Sequence, residues 1–177
     1  MGEFNLNDLA VPILVAPMAG GPSTPPELAA AGSEAGGLGF VAAGYLSADT
    51  FAERLTATRK LTTRPLGVNL FAPPASAVQP GDIDRYIAEL AGEAARYGVS
   101  LGEPKFNDDD WAAKLEVVLD IRPEVVSFTF GSPSAEESAR LRAAGITTVA
   151  TVTTLTEAQE AVGKGVDALA VQGPAAG

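Results

Sequence analysis

Apolar residues in this chain gather in short unbroken runs instead of alternating with polar ones. Six such runs stand out: Pro12 to Ala16, Leu38 to Ala42, Pro65 to Leu70, Val125 to Phe130, Ile146 to Val152 and Ala168 to Val171. Runs of this kind predict strands of a parallel sheet, covered on both faces. Alanine-rich segments of helical character lie between them. Three of these segments open with a hydroxyl followed three residues later by Glu: Thr24 with Glu27, Ser134 with Glu137, and Thr154 with Glu157. That spacing predicts reciprocal capping of free backbone N–H groups. Pro25 and Pro26 fall in a first turn, where a missing N–H costs little. Helix ends are expected at Gly36-Gly37, Gly98, Gly145 and Gly163/Gly165. Strand, cap, helix and glycine, recurring in that order, predict repeated βα units.

One interval breaks the rhythm. Ala72 to Pro80 is a Pro/Ala-rich loop, followed by predicted helices over Asp82 to Tyr97 and from just after Asn107 to about Ile121. The chain thus reads as one incomplete β/α barrel domain, 1–177, with a helical and loop insertion at about 71–122 that is expected to act as a lid or wall. Asn107-Asp108-Asp109-Asp110 resembles a metal cluster, but acids in the first turn of a helix, complementing its dipole, are the simpler expectation.

Composition narrows the chemistry. The 177 residues include no histidine and no cysteine. Imidazole and thiolate are therefore unavailable as nucleophile, base or metal ligand within them, and no metal site is expected. A formal net charge of -10 argues against a nucleic-acid-binding face. No apolar stretch approaches the ~20 residues of a membrane helix, and Met1 to Asp8 lacks a basic signal-peptide start. The expected location is the cytoplasm.

Residues able to hold a ligand follow several runs, not one. Ala16-Pro17-Met18 turn out of the first, Asn69 lies in the third (GVNLF), and Gln172-Gly173 follow the last. In a β/α barrel, ligand residues stand just past the C-terminal ends of the strands. Neither a G-x-G-x-x-G nor a G-x-x-x-x-G-K-[ST] loop is present. A flavodoxin-like sheet of five or six strands is the alternative, but it would concentrate such residues at one switch point. The fold class is thus α/β, a TIM-type barrel with about six of its eight strands in this chain. Read alone, Ala16 to Gly21 is a tight turn with Met18 filling the core; its small residues also let a flat ring approach the backbone. Asn69 suits either its neighbouring backbone or the N–H and C=O edges of a flavin pyrimidine ring, and the same holds for Gln172. Tyr45 and Thr151, also near strand ends, are weaker candidates.

Taken together, PILVAPMAGG, EAGGLGFVAAGYLS, TTRPLGVNLFAP and ALAVQGPAAG, in this order and spacing, resemble the nitronate monooxygenase family, formerly the 2-nitropropane dioxygenases. The resemblance spans essentially the whole chain and implies an FMN-dependent TIM barrel. Its activity would be oxidation of alkyl nitronates by O₂ to carbonyl compounds and nitrite. It implies that Ala16, Pro17 and Met18 lie along the flavin, that Asn69 bonds its ring, and that Gln172 and Gly173 contact it. The family closes the stretch after this Q-G with a catalytic His, which would lie beyond Gly177, so no catalytic residue is assigned within the chain. The family's phosphate loops follow strands seven and eight, outside these six, so a homo-oligomer or a completing segment is the expected partner. Two other readings stand beside this one. One is a related FMN barrel reducing enoyl thioesters, or quinones with NAD(P)H; the other is a non-catalytic half-barrel that needs a partner chain.

Overall fold

The computed structural model describes residues 4–20, 23–74 and 78–175. Gly21, residues 75–77 of the Ala72 to Pro80 loop, and Ala176-Gly177 lie outside the described residues. All six expected strands form: β1 (Leu14–Val15), β2 (Leu38–Ala42), β3 (Leu66–Phe71), β4 (Val125–Thr129), β5 (Thr147–Val152) and β6 (Ala168–Val171). Each pairs in parallel with its sequence neighbour, in the order β1-β2-β3-β4-β5-β6. Sequential parallel order is that of a barrel wall, here a curled half-barrel; a doubly wound sheet would reverse partway. Near-continuous burial on both faces holds for β2, β3 and β4, whereas β1 and β6, each with one neighbour, are partly exposed.

The chain divides into two compact units, 1–73 with 108–177, and 74–107. In the first, α1 (Pro26–Glu34), α2 (Ala48–Leu61), α4 (Trp111–Ile121), α5 (Ala135–Ala143) and α6 (Leu155–Gly163) connect successive strands. One sheet face packs on helices: Val41, Val68, Leu70, Val126 and Phe128 meet Phe51 and Leu55 of α2 and Leu115 and Val118 of α4. The helix α4, expected within the insertion, therefore belongs to the sheet's own helical layer. The opposite face begins with Leu38, Phe40, Val125 and Val149, against which Phe4, Leu6 and Leu9 pack. The second unit holds α3 (Pro80–Tyr97), which ends at Gly98 in the left-handed region (φ 64).

The expected capping boxes form at Ser134/Glu137 and Thr154/Glu157, and the helix-end glycines Gly36, Gly98, Gly145 and Gly165 all have positive φ. Thr24 is a correction. The first residue of α1 is Pro26, its N-cap is Pro25, and no side chain caps it. Two prolines in succession shift the helix start past the hydroxyl. Thr24 Oγ1 instead accepts from the Met18 N–H (3.0 Å) and donates to the Met18 carbonyl (3.2 Å), closing the β1–α1 loop on itself.

Asp167, just before β6, ties the start of that strand to β5 and α5. Its carboxylate accepts from the Thr148 hydroxyl (2.6 Å), the Thr148 N–H (2.9 Å) and Arg142 Nη2 (2.8 Å). Burial by itself would raise its pKa, but the Thr148 and Arg142 contacts outweigh it and hold the carboxyl below its ordinary value of 3.8. A depressed folded-state pKa stabilises the fold above the ordinary value. That stabilisation is lost as pH falls from about 4 through the folded pKa. Asp167→Asn is expected to cost about 1 kcal/mol at neutral pH, mostly from the Thr148 hydrogen bonds because solvent screens the Arg142 pair, and to flatten the acid limb of the stability curve. Urea midpoints from pH 7 down to pH 3 test this, and an acid limb identical to wild type counts against it.

Candidate functional site

Parallel order brings the C-terminal end of every strand to one edge of the sheet, and all the sequence candidates fall there. At β1, exposure alternates: Leu14, Ala16 and Met18 are open, whereas Val15, Pro17 and Ala19 are half-buried. Met18 is 48% exposed, so it is not core filler. The Thr24 clasp holds its backbone and leaves the side chain free for contact. Gln172, half-buried, follows β6 and donates its backbone N–H to Val152 O (2.9 Å). Gly173 is exposed, and a Cβ there would meet no described atom within 4 Å. The β1 and β6 residues share an end of the sheet but stand at its opposite edges.

Asn69 stands between them on the non-helical face, in register with Ala42 on β2 and Ser127 on β4. It is 3% exposed, yet polar. Burial of an amide is tolerated because Nδ2 donates to Ser127 Oγ (2.9 Å) and Thr129 Oγ1 (3.0 Å). Ser127 Oγ donates in turn to Val68 O (3.3 Å). Both Nδ2 hydrogens are thus engaged inside the sheet, whereas Oδ1 accepts no bond among the described residues. The acceptor edge is what Asn69 can offer a ligand. Ser127 and Thr129 went unrecognised in the sequence; their signal was two hydroxyls at i and i+2 within an otherwise apolar strand (VVSFT), which places both on one face.

Aromatic rings continue the same edge. Phe71 packs edge-on against Tyr45 (centroids 5.2 Å apart) and Phe130 (4.9 Å). Tyr45 and Phe130 are 74% and 72% exposed, and both have left-handed backbone, φ 64 and 70. A bulky residue in that region is strained unless its surroundings hold it there. Room for Phe71 comes from Gly44, where a Cβ would lie 2.4 Å from the ring.

The Asp108 to Asp110 acids are a second correction. They precede α4, and two of them, Asp109 and Asp110, serve another segment. Asp110 is the N-cap residue of α4 but makes no side-chain capping bond to it. Asp109 Oδ1 accepts from the Tyr45 N–H (2.9 Å), and Asp110 Oδ2 accepts from the Ala48 N–H at the first turn of α2 (3.1 Å). Asp109 Oδ2 pairs with Lys114 Nζ at 2.7 Å, and Lys114 is 1% exposed. No group of three or more potential metal ligands occurs among the described residues.

The inner face near this edge offers small side chains at Ala16 and Ala42, an unengaged amide oxygen and an aromatic border. A flat heterocycle with an N–H on its rim fits that set of groups.

Comparison with known proteins agrees with this fold. The chain is 37% identical over 172 residues to a nitronate monooxygenase from Paraburkholderia phytofirmans, covering 94% of this chain and 46% of that one. Among solved structures, nitroalkane oxidase from Streptomyces ansochromogenes superposes with a TM-score of 0.82 at 48% identity, covering 94% and 47% of the two chains. FabK from Thermotoga maritima superposes at 0.66 with 25% identity, covering 94% and 42%. The chain thus spans about half the length of the relatives it matches. The sequence profile of the family described as nitronate monooxygenase matches residues 4–177. With six parallel βα strands and that match over nearly its whole length, this chain belongs to the nitronate monooxygenase family.

Proposed function

We propose that this chain forms the N-terminal half of an FMN-dependent nitronate monooxygenase, which oxidises alkyl nitronates with O₂ to a carbonyl compound and nitrite. The supporting observation is the buried Asn69, whose amide oxygen stays unengaged on the inner face while its nitrogen is spent on Ser127 and Thr129. In this reading Asn69 Oδ1 accepts from a ring N–H, Ala16, Pro17 and Met18 lie along one side of the ring, and Gln172 and Gly173 approach it from β6. Nitronate oxidation and the reduction of O₂ are the chemistry that FMN supplies when bound. The protein's part is to orient, and to exclude water with Tyr45, Phe71 and Phe130, whose rings also suit an alkyl substituent. An ionised nitronate needs no proton removed, so its turnover requires no base from these residues.

The likeness to FabK supports a second reading, an FMN barrel that reduces enoyl thioesters, or quinones with NAD(P)H. Turnover assays on the purified holoprotein separate the two. Nitrite release from a nitronate without pyridine nucleotide is expected; NAD(P)H-dependent reduction without nitrite release favours the alternative. Gly173→Val supplies a readout independent of turnover. Because the described chain leaves that space open, its melting temperature should match wild type, while FMN affinity should fall about tenfold or more. An unchanged FMN affinity would remove Gly173 from the site.

A further inference from the structure

Tyr45 holds a strained left-handed conformation in a turn that the Leu46 N–H closes on Ala43 O (3.1 Å). A second anchor reaches this turn from the segment that leads into α4. Asp109 spends one carboxylate oxygen on the Tyr45 N–H (2.9 Å) and the other on Lys114 Nζ (2.7 Å). Lys114 is 1% exposed and packs in the layer that holds Leu115 and Val118 against the sheet. A buried ammonium has few alternatives to its carboxylate, because leaving it unpaired is costly. The pair therefore anchors Asp109 from behind, and Asp109 anchors the Tyr45 backbone from the front. Asp110 adds a bond to the Ala48 N–H, so the segment from Tyr45 to the start of α2 is held at two points by adjacent acids. Asp109 and Asp110 themselves adopt φ 58 and 54, a region that Asp tolerates better than most residues.

We propose that Asp109, backed by buried Lys114, is a positioning residue that fixes the left-handed loop at Tyr45 and thereby sets where the Tyr45 ring stands beside Phe71. Resting on the functional reading above, this makes the pair a determinant of how long an alkyl chain the mouth accepts, although neither residue touches substrate.

The test compares two double variants, Asp109→Asn/Lys114→Met and Asp109→Gly/Lys114→Met, in the protein produced from its native gene. Both remove the buried charges together, so neither leaves an unpaired ion, and Asn and Gly each accept the left-handed backbone. Only Asn retains an acceptor for the Tyr45 N–H. Hydrogen exchange at the Tyr45 amide should be about five- to tenfold faster in the Gly variant than in the Asn variant, at equal melting temperature. Equal exchange rates would overturn the positioning role. If the Gly variant alone fails to fold, Asp109→Asn by itself decides. The amide oxygen can stand at only one of the two places the carboxylate oxygens hold, so with Lys114 competing for it exchange should rise, and then fall again on adding Lys114→Met; no such rescue refutes the role. The kinetic arm compares KM for 1-nitropropane and 1-nitrohexane nitronates. Their ratio should shift by about threefold or more between the two double variants, with kcat nearly unchanged. An unchanged ratio in an active enzyme overturns the selectivity claim. An enzyme inactive on every nitronate instead overturns the functional reading, and leaves the exchange result to decide the positioning role.

Discussion

Alanine at Gly39 should keep the chain from reaching a stable native fold. A Cβ at this position would lie 1.8 Å from Ala29 O, 2.5 Å from Ala29 C and 2.7 Å from Ala29 Cα. All three are backbone atoms of α1, so no side-chain rotation relieves the clash. The helix would have to lift off β2, and doing so would break a second set of contacts. The Gly39 N–H donates to Ser33 Oγ (3.0 Å), which itself donates to Pro65 O (2.6 Å), joining α1, β2 and the entry to β3. Overpacking of a side chain typically costs ~1–3 kcal/mol. A backbone clash that also breaks a buried hydrogen-bond pair lies at or above the top of that range, against a total stability of ~5–15 kcal/mol. Urea unfolding followed by circular dichroism should show a loss of about 3 kcal/mol or more, or no cooperative transition at all. Gly92→Ala is the control. A Cβ there meets nothing within 4 Å inside α3, and alanine favours a helix by up to ~1 kcal/mol, so stability should hold or rise. A Gly39→Ala protein as stable as this control would refute the close approach.

Leucine at Asn69 should separate binding from folding. The change conserves shape but removes the two donors that reach Ser127 Oγ and Thr129 Oγ1. Both hydroxyls can still donate elsewhere, as Ser127 already does to Val68 O. Folding should therefore lose about 1–3 kcal/mol, which a domain of this size survives. Binding should suffer more. In the functional reading, Oδ1 accepts a ring N–H in a site shielded from water, and leucine would leave that N–H facing hydrocarbon. Forfeiting one hydrogen bond and burying an unpaired donor amounts to about 3 kcal/mol, or roughly a hundredfold in FMN affinity. Titration of the variant with FMN, followed by quenching of flavin fluorescence, measures this directly. An affinity equal to wild type would place the flavin away from Asn69, and with it the proposed cofactor site.

The strands, most helix caps and the edge where ligand residues gather were all legible in the chain. Each depends on neighbours within a few positions. A run such as GVNLF marks a covered strand because every second residue faces the same way. The Ser134 and Thr154 boxes close over three residues. Thr24 shows how narrow that legibility is. Its box had the right letters, but Pro25 and Pro26 moved the helix start beyond its reach, and the hydroxyl bonded Met18 instead. Phe71 and Phe130 escaped notice because phenylalanine at a strand end reads as core; only the left-handed turn at Phe130 brings its ring out to the edge.

Local pattern alone thus determined that this chain makes parallel βα units, with Ala16-Pro17-Met18, Asn69 and Gln172-Gly173 at the C-terminal ends of the strands. Tertiary structure decided what each polar group there is free to do. Asn69 has a spare acceptor but no spare donor because Ser127 and Thr129, 58 and 60 residues away, occupy its nitrogen. Asp109 serves a backbone N–H 64 residues earlier while its other oxygen pairs with Lys114 of α4. Hydrogen bonding is settled by which groups meet in space, and a one-dimensional pattern specifies such meetings only when the partners are close along the chain.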